Sequence, residues 1–580
     1  VISKKEYAKY RKSAEYKNLI PMRWMNVIKF ECEDHWSPTL SMETFRLRLC
    51  IACTFNAKIE QCDVLGAYLT VQLDPKEPPI LVAFPNGLEE GNPLGIKRTK
   101  DGLKWKDSNG NVHEVKTKDN GSPYCMKLNV AAYGLRKASQ YFIYSFLNWL
   151  RDDLGYEASS IDPCLFWRNE DNDNFIFVGI YSDNAIIISK GDKLRALFIY
   201  AFNRKYKESP DSEFGENEIV EFLSMQTISK EVGDTRYVSI RSPKLMKALS
   251  ENLKDRTLFT ADSTSKKPEL SSPVDNPMPD VDSLYEPESD TNPLIPESDF
   301  RCNVTFGIIL WITLAWRFDA LFETAFFSRM IHQKPTMNVC NGLKRVGWYL
   351  IDHDDSLTYS ARIGVNELDM LAGSDASFCN GQHLESFYAF IVTLCGATLI
   401  GRTKIIPSIM RCTRDTELFA LMHVVMVIIG LRLMLSEMKL LKDGPTPVYV
   451  DNTAVLDGMV NKKTNRSQRY SEIRRGWIRG QVEDLLIKLL HCQSNELLPD
   501  SGTKAHTGVA KTKFRRLLLG LQAMDRSQFS SVARHAEIGS KVLNEDVRED
   551  VADAMFNYLE KERRRLTVDD TRQTSNNNTY

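Results

Sequence analysis

The sequence has no excess of charge of either sign: 75 lysines and arginines face 76 aspartates and glutamates, a formal net charge of -1. A wholly basic surface is thereby excluded, and any polyanion-binding surface has to be local and offset by acid elsewhere. The 12 cysteines form no repeating framework, which excludes a disulfide-stapled scaffold and suits a reducing, intracellular setting. Cys50 and Cys53 make one C-x-x-C, but they lie in the amphipathic run Thr44–Phe55, and no second Cys or His pair is spaced to complete a zinc site. Core packing is the expected role of both thiols. Long uncharged runs are missing too. Phe306–Trp316 is too short to span a bilayer, and Leu418–Leu435 carries His423 and Arg432, where a span wants ~20 nearly uncharged residues. Both are expected to be buried helices. Val1–Lys29 is charged throughout and does not read as a signal peptide. No internal repeat is present.

What remains is a chain of 580 residues, 43% hydrophobic and 26% charged, the composition of a folded, soluble protein with more than one core. Pro, Ser, Asp and Glu dominate 258–300, which reads as an acidic linker or long surface loop. A polar stretch at 91–121 reads as an excursion between two strands, and 569–580 as a polar tail. Hydrophobic spacing predicts helices over 44–56, 138–154, 303–331, 338–351, 413–439 and 468–485. Strands are predicted over 58–64, 175–181, 185–189, 368–374, 447–450 and 486–491, so the class is α+β.

Two acidic constellations stand out. In the first, a strand closes on Asp63, with Ala67-Tyr68 following, and a hairpin carries Tyr181-Ser182-Asp183-Asn184 at its tip. A lone Asp at a hairpin tip is usually turn chemistry. Two carboxylates at adjacent strand ends can instead hold a pair of Mg²⁺ ions ~4 Å apart. In the second, Asp375 follows a strand, Glu417 lies in the first turns of a long helix, Asp451 ends another strand, and Asp500 precedes Gly502-Thr503-Lys504. Any one of these is commonly a cap or turn residue. Beside them Lys462, Lys463, Arg466, Arg469, Arg474, Arg475 and Arg479 gather on or next to one predicted helix, a local basic surface suited to phosphate contacts or simply a solvated face.

These residues carry a resemblance. Asp63-Val64-Leu65-Gly66-Ala67-Tyr68-Leu69 and Tyr181-Ser182-Asp183-Asn184 resemble the catalytic motifs of reverse transcriptases. Trp36-Ser37-Pro38, Lys127 to Ala138 and Asp162-Pro163-Cys164 are similar to segments of copia-type retrotransposon Pol polyproteins. The second set resembles the copia form of the RNase H site. The resemblance implies a reverse-transcriptase palm and fingers over 1–257, shortened near 25–35, then the 258–300 linker and a helical thumb or connection segment over 301–365. An RNase H-like α/β domain over 366–520 and a C-terminal helical and polar tail over 521–580 complete the implied order.

By the same resemblance Asp63 and Asp183 bind catalytic Mg²⁺ or Mn²⁺, Tyr68 and Gly134 contact the nucleotide, and Asp375, Glu417, Asp451 and Asp500 bind the metals of the nuclease. The implied partners are an RNA template, a DNA primer, an RNA–DNA hybrid, deoxynucleoside triphosphates and other polyprotein-derived element proteins, with no membrane. The implied location is the cytoplasm, in a virus-like particle, or the nucleus. The chain also departs from the family: Asn184 replaces a second hairpin Asp, Phe222-Leu223-Ser224 stands for Phe-Leu-Gly, Pro499 precedes Asp500 where the family has Ala, and the basic segment before Trp36 is short. Three readings stay open: an RNA-directed DNA polymerase with linked RNase H, a degenerate or repurposed nucleic-acid-binding relative, and a nonfunctional remnant that keeps the fold.

Overall fold

The computed structural model describes residues 19–21, 37–73, 81–83, 97–99, 102–106, 112–115, 126–133, 135, 137–171, 173–206, 219–262, 267–278, 280–331, 335–379, 384–460, 469–523 and 530–531. The shortened segment at 25–35, Gly134, Lys462, Lys463, Arg466 and the tail from 532 lie outside them.

The first unit is built on helix α1 (Met42–Thr54), opened by Ser41, whose side chain accepts from the Thr44 amide at 3.0 Å. Thr44 to Thr54 are buried on every face, the two arginines included. Arg48 reaches backward into the sheet and donates to the carbonyls of Phe177 (2.8 Å) and Ile186 (2.6 Å). That sheet holds β1 (Lys58–Asp63), β2 (Leu165–Asp171), β3 (Asn174–Tyr181) and β4 (Asn184–Lys190), in the antiparallel order β1-β4-β3-β2 with Glu157–Ala158 at the edge. Its central strands are runs of Ile, Val and Phe because both faces are covered. Gly179 sits where a Cβ would strike the Arg48 guanidinium, so only glycine admits that arginine.

The excursion predicted at 91–121 contains structure of its own: Lys97–Thr99, Gly102–Lys106 and Val112–Val115 pair as an antiparallel three-stranded sheet. A second sheet runs β5 (Ile219–Phe222), β6 (Met225–Val232), β7 (Thr235–Arg241) and β8 (Leu357–Arg362), all antiparallel. Strand β8 comes from the far side of the expected linker, so the boundary drawn at 257 is crossed by a sheet.

The 258–300 stretch is no free linker. Leu270, Val274, Met278, Leu284 and Phe300 are buried, and the Val274 amide donates to Asp352 at 2.8 Å. Single apolar residues spaced between prolines are enough to pin a coil to a helical surface, and they leave no period for sequence reading to find. The helix predicted over 303–331 breaks in two, Cys302–Ala315 and Leu321–Met330. At the break Arg317 is fully buried, forks onto Asp319 at 2.9 Å through two nitrogens, and donates to the carbonyls of Leu350 and His353.

The third sheet holds β9 (Leu371–Ser377), β10 (Phe387–Leu394), β11 (Ala397–Ile405), β12 (Thr446–Val450) and β13 (Ile487–His491), ordered β11-β10-β9-β12-β13 with Ser530–Ser531 beyond. The first three strands are antiparallel; β9-β12 and β12-β13 are parallel. A parallel step needs a crossover. The long helix Thr413–Glu437 supplies one, and the helices Thr453–Val460 and Arg469–Glu483 supply the other. The Thr413–Glu437 helix has the length and apolarity of a membrane span, yet 72% of its apolar window is buried in the fold. Cys50 and Cys53 are buried in α1, as the packing reading expected.

Candidate functional site

The parallel pair β9 and β12 brings the second acidic set together. Asp375 lies inside β9, not after a strand as the sequence suggested, and Asp451 follows the last residue of β12. Glu417 projects from the early turns of the Thr413–Glu437 helix, which packs over β9. One carboxylate oxygen from each of Asp375, Glu417 and Asp451 lies within 4.8 Å of the others, the sole such group of three acidic, His or Cys side chains among the described residues.

The two aspartates are held from behind: Thr503 donates to Asp375 Oδ2 and Ser494 to Asp451 Oδ2 at 2.6 Å, whereas Glu417 Oε2 is buried with no hydrogen-bond partner. Burial pushes the Glu417 carboxyl up to about 10, reinforced by the charges of Asp375 and Asp451 and opposed by the Ala376 amide. Burial likewise raises Asp375 to about 6, partly offset by the Thr503 hydrogen bond and the Lys504 charge. A buried carboxyl with one unpartnered oxygen beside two others is costly to ionise on its own and suits a hard divalent cation with oxygen ligands.

Asp500 opens the short helix Asp500–Thr503 next to this group but is not one of the three. Its Oδ1 accepts from Lys504 and its Oδ2 pairs with His506 at 2.9 Å. Burial would raise this carboxyl, but the hydrogen bonds from His506 and Lys504 and their charges hold it below the usual range. His506, Ser494 and Lys504 received no role from the sequence. Lys504 stands four residues after Asp500 and was legible as a neighbour; Ser494 and His506 reach their partners through turns that no periodicity reveals.

The first pair is also brought together. Asn184 pairs with Asp63 across β4 and β1, and the Val64 amide donates to the Asp183 carbonyl at 3.1 Å, so both carboxylates leave the same end of the sheet. Ser182 holds the turn at φ 58°. Burial first, then the charges of Asp183, Tyr68 and Asp63, raises the Tyr133 hydroxyl, which places that ring beside the pair. The Tyr68 ring packs on Tyr133 at 4.6 Å and its hydroxyl bonds Ser182 at 3.0 Å. Asn184 Oδ1 accepts from Gln61 Nε2 at 3.1 Å, across the β4–β1 pairing.

The basic helix corrects part of the expectation. Arg475 is buried and paired with Glu472, and Arg479 donates to the carbonyls of Met459 (3.1 Å) and Gly458 (3.3 Å) at the end of the preceding helix. These two guanidinium groups hold the protein together, a common use of Arg at a helix C-terminus. Arg474 lies over the Phe419 ring at 5.1 Å. Arg469 belongs to the helix backbone, and its side chain lies outside the described residues. Ser471 donates to the buried Asp415, docking this helix onto the first turn of the helix that carries Glu417.

The chain matches no family model. It is 22% identical over 494 residues to the retrovirus-related Pol polyprotein from transposon TNT 1-94 of Nicotiana tabacum, a match over 83% of this chain and 32% of that polyprotein. The chain is a relative of a retrotransposon Pol polyprotein. It spans about a third of that relative's length. Among solved structures, the native protease–reverse transcriptase of prototype foamy virus is 9% identical, with 79% of this chain and 46% of that one covered and a TM-score of 0.19. Its CSH mutant is 10% identical over 83% and 48% of the two chains, again at a TM-score of 0.19. The mixed helix and sheet architecture is that of the described elements themselves.

Proposed function

We propose that this Pol relative hydrolyses the RNA strand of an RNA–DNA hybrid at Asp375, Glu417 and Asp451, in an RNase H-like α/β unit that follows a reverse-transcriptase-like palm. The observation that carries the reading is the convergence of three carboxylates, one with a buried, unpartnered oxygen, from within β9, from just past the end of its parallel neighbour β12 and from the early turns of a crossover helix. That donor set fits Mg²⁺ or Mn²⁺. Such an ion, when bound, supplies a polarised water and neutralises phosphate charge. The chain's own part is positioning: Thr503 and Ser494 fix the two aspartates, the Ser471–Asp415 bond fixes the helix bearing Glu417, and Lys504 places a cation beside them.

A second reading, RNA-directed DNA polymerisation with an RNA template, a DNA primer and deoxynucleoside triphosphates, is favoured by the strand register that sets Asp63 beside Asp183. In that reading Tyr68 excludes a 2′-hydroxyl. The Asn184–Gln61 bond, with Asn where a further carboxylate would add charge, favours weak polymerisation at most. Assaying one preparation for primer extension and for hybrid cleavage, each with Mg²⁺ and with Mn²⁺, separates the two. Cleavage without strong extension is expected; robust extension lost in Asp63→Ala would reverse the order of the readings.

A further inference from the structure

The C-x-x-C of α1 has a third thiol for a neighbour. Cys395 stands at the tip of the β10–β11 hairpin, 345 positions along the chain from Cys50, and its thiol donates to the Cys50 carbonyl at 3.6 Å. It shares a hydrogen bond with the Thr54 hydroxyl at 3.1 Å and another with the Cys50 thiol itself. Cys53 is engaged elsewhere, its Sγ donating to the Arg236 carbonyl in β7 at 3.3 Å. The hairpin tip is a strained place for a cysteine. Leu394 pairs with Ala397, and the two residues between them, Cys395 and Gly396, both have positive φ, 51° and 78°. Such turns favour Asn-Gly or Gly-Gly, because a larger side chain at the first position crowds the following carbonyl. Core packing does not account for this thiol either: Cys395 is half-buried beside the exposed Gly396, whereas Cys50 is fully buried.

We infer that Cys50 and Cys395 form a redox-modification site, at which a hydroperoxide converts the two thiols into a disulfide tying α1 to the β10–β11 hairpin. The chemistry balances in two steps. The Cys395 sulfur attacks the peroxide O–O bond and takes one oxygen as a sulfenic acid, while the other oxygen leaves as water or an alcohol. The Cys50 sulfur then attacks the Cys395 sulfur: the S–S bond forms, the S–O bond breaks, and the hydroxyl leaves as water with the Cys50 proton. The two thiols give two electrons to the peroxide, and a dithiol reductant reverses the bridge. The surroundings divide the roles. The hydrogen bond with Cys50, helped by Thr54, holds the Cys395 thiol below its ordinary range in spite of burial, which suits it to attack first. Burial, reinforced by the neighbouring thiols and opposed by Arg46, pushes the Cys50 thiol well above its range, so it stays protonated until Cys395 is oxidised. The pair uses none of the carboxylates named above, so its oxidation stands or falls apart from the proposed nuclease.

The test treats the full, folded chain with hydrogen peroxide, alkylates the remaining thiols in denaturant with iodoacetamide, and maps the peptides by mass spectrometry before and after dithiothreitol. A Cys50–Cys395 linked peptide, lost on reduction, is expected as the first cross-link to form, and it should persist in Cys53→Ser. In Cys50→Ser the Cys395 sulfenic acid has no partner, so dimedone should label Cys395 about tenfold or more faster than Cys379 and Cys412, which are likewise half-buried. Far-UV circular dichroism checks that both variants fold, and the cross-link map of the parent decides the question where one does not. Cys50 and Cys395 both still alkylated at a peroxide dose that oxidises Cys379 or Cys412 would overturn the assignment. So would equal dimedone labelling of the three half-buried cysteines, or loss of the bridge in a folded Cys53→Ser.

Discussion

Burial holds Glu417 at about 10 and Asp375 at about 6, both above the ordinary carboxylate range. Groups raised in this way give stability that is complete below their unfolded values, about pH 4, and lost as the pH climbs through the folded ones. The ion-free chain is therefore expected to melt at progressively lower temperature as pH rises from 5 to 8. Added Mg²⁺ or Mn²⁺ should raise the melting temperature more at pH 8 than at pH 5, because it binds the ionised carboxylates. Glu417→Gln should stabilise the ion-free chain at pH 8 by about 1–3 kcal/mol, since folding no longer has to hold a proton on a carboxyl that the unfolded chain ionises. Thermal melts in chelator and in Mn²⁺ check both; a melting temperature that rises with pH in chelator would contradict the electrostatic account. Of these residues the sequence revealed the carboxylates, because chemistry shows in residue type. It did not reveal Ser494 or His506, whose contacts exist only after the chain turns back.

Elements were legible where one period ruled them. The helix at 413–439 and the strands flanking Asp183 came out within a few residues of Thr413–Glu437, Asn174–Tyr181 and Asn184–Lys190. The helix over 303–331 did not, because its apolar spacing continues through a break made by a single buried ion pair. That pair is open to test. Arg317 and Asp319 are both fully buried, and Tyr349 adds a bond to Asp319 at 2.7 Å. Asp319→Ala leaves the guanidinium uncompensated and should cost about 3–5 kcal/mol in denaturant unfolding, far beyond an exposed pair. The β5–β6 turn makes the opposite prediction. Leu223 and Ser224 both adopt positive φ, 55° and 61°, and Ser224 stands where the resembled family has glycine. Ser224→Gly should relieve local strain and raise stability by about 0.5–1 kcal/mol; a destabilised variant would mean that the Ser side chain holds the turn.

At the scale of the molecule, the sequence divided the chain at 257 and 300, and the structure stitches across both points. Strand β8 completes the sheet begun by β5, β6 and β7. Arg46, fully buried in α1, donates to the carbonyls of Leu399 in β11 and of Leu314 and Ala315 at the end of the Cys302–Ala315 helix. A long-range polar tie of this kind has no periodic signature, since an Arg in an amphipathic run reads as a surface residue. Arg46→Met removes the donors and leaves three buried carbonyls, each worth about 1–3 kcal/mol when unsatisfied. Limited proteolysis should then cut between the part bearing the Lys58–Asp63 sheet and the part bearing the Leu371–Ser377 sheet under conditions where the parent stays whole.

We propose that the Asp375–Glu417–Asp451 centre, not the Asp63–Asp183 pair, does the chemistry, and cleavage of a 5′-labelled RNA annealed to DNA in Mn²⁺ decides between them. Cleavage should persist in Asp63→Asn and fall by about a hundredfold or more in Asp451→Asn. Cleavage equal in the parent and in Asp451→Asn, or none in a folded, Mn²⁺-bound parent, would contradict it.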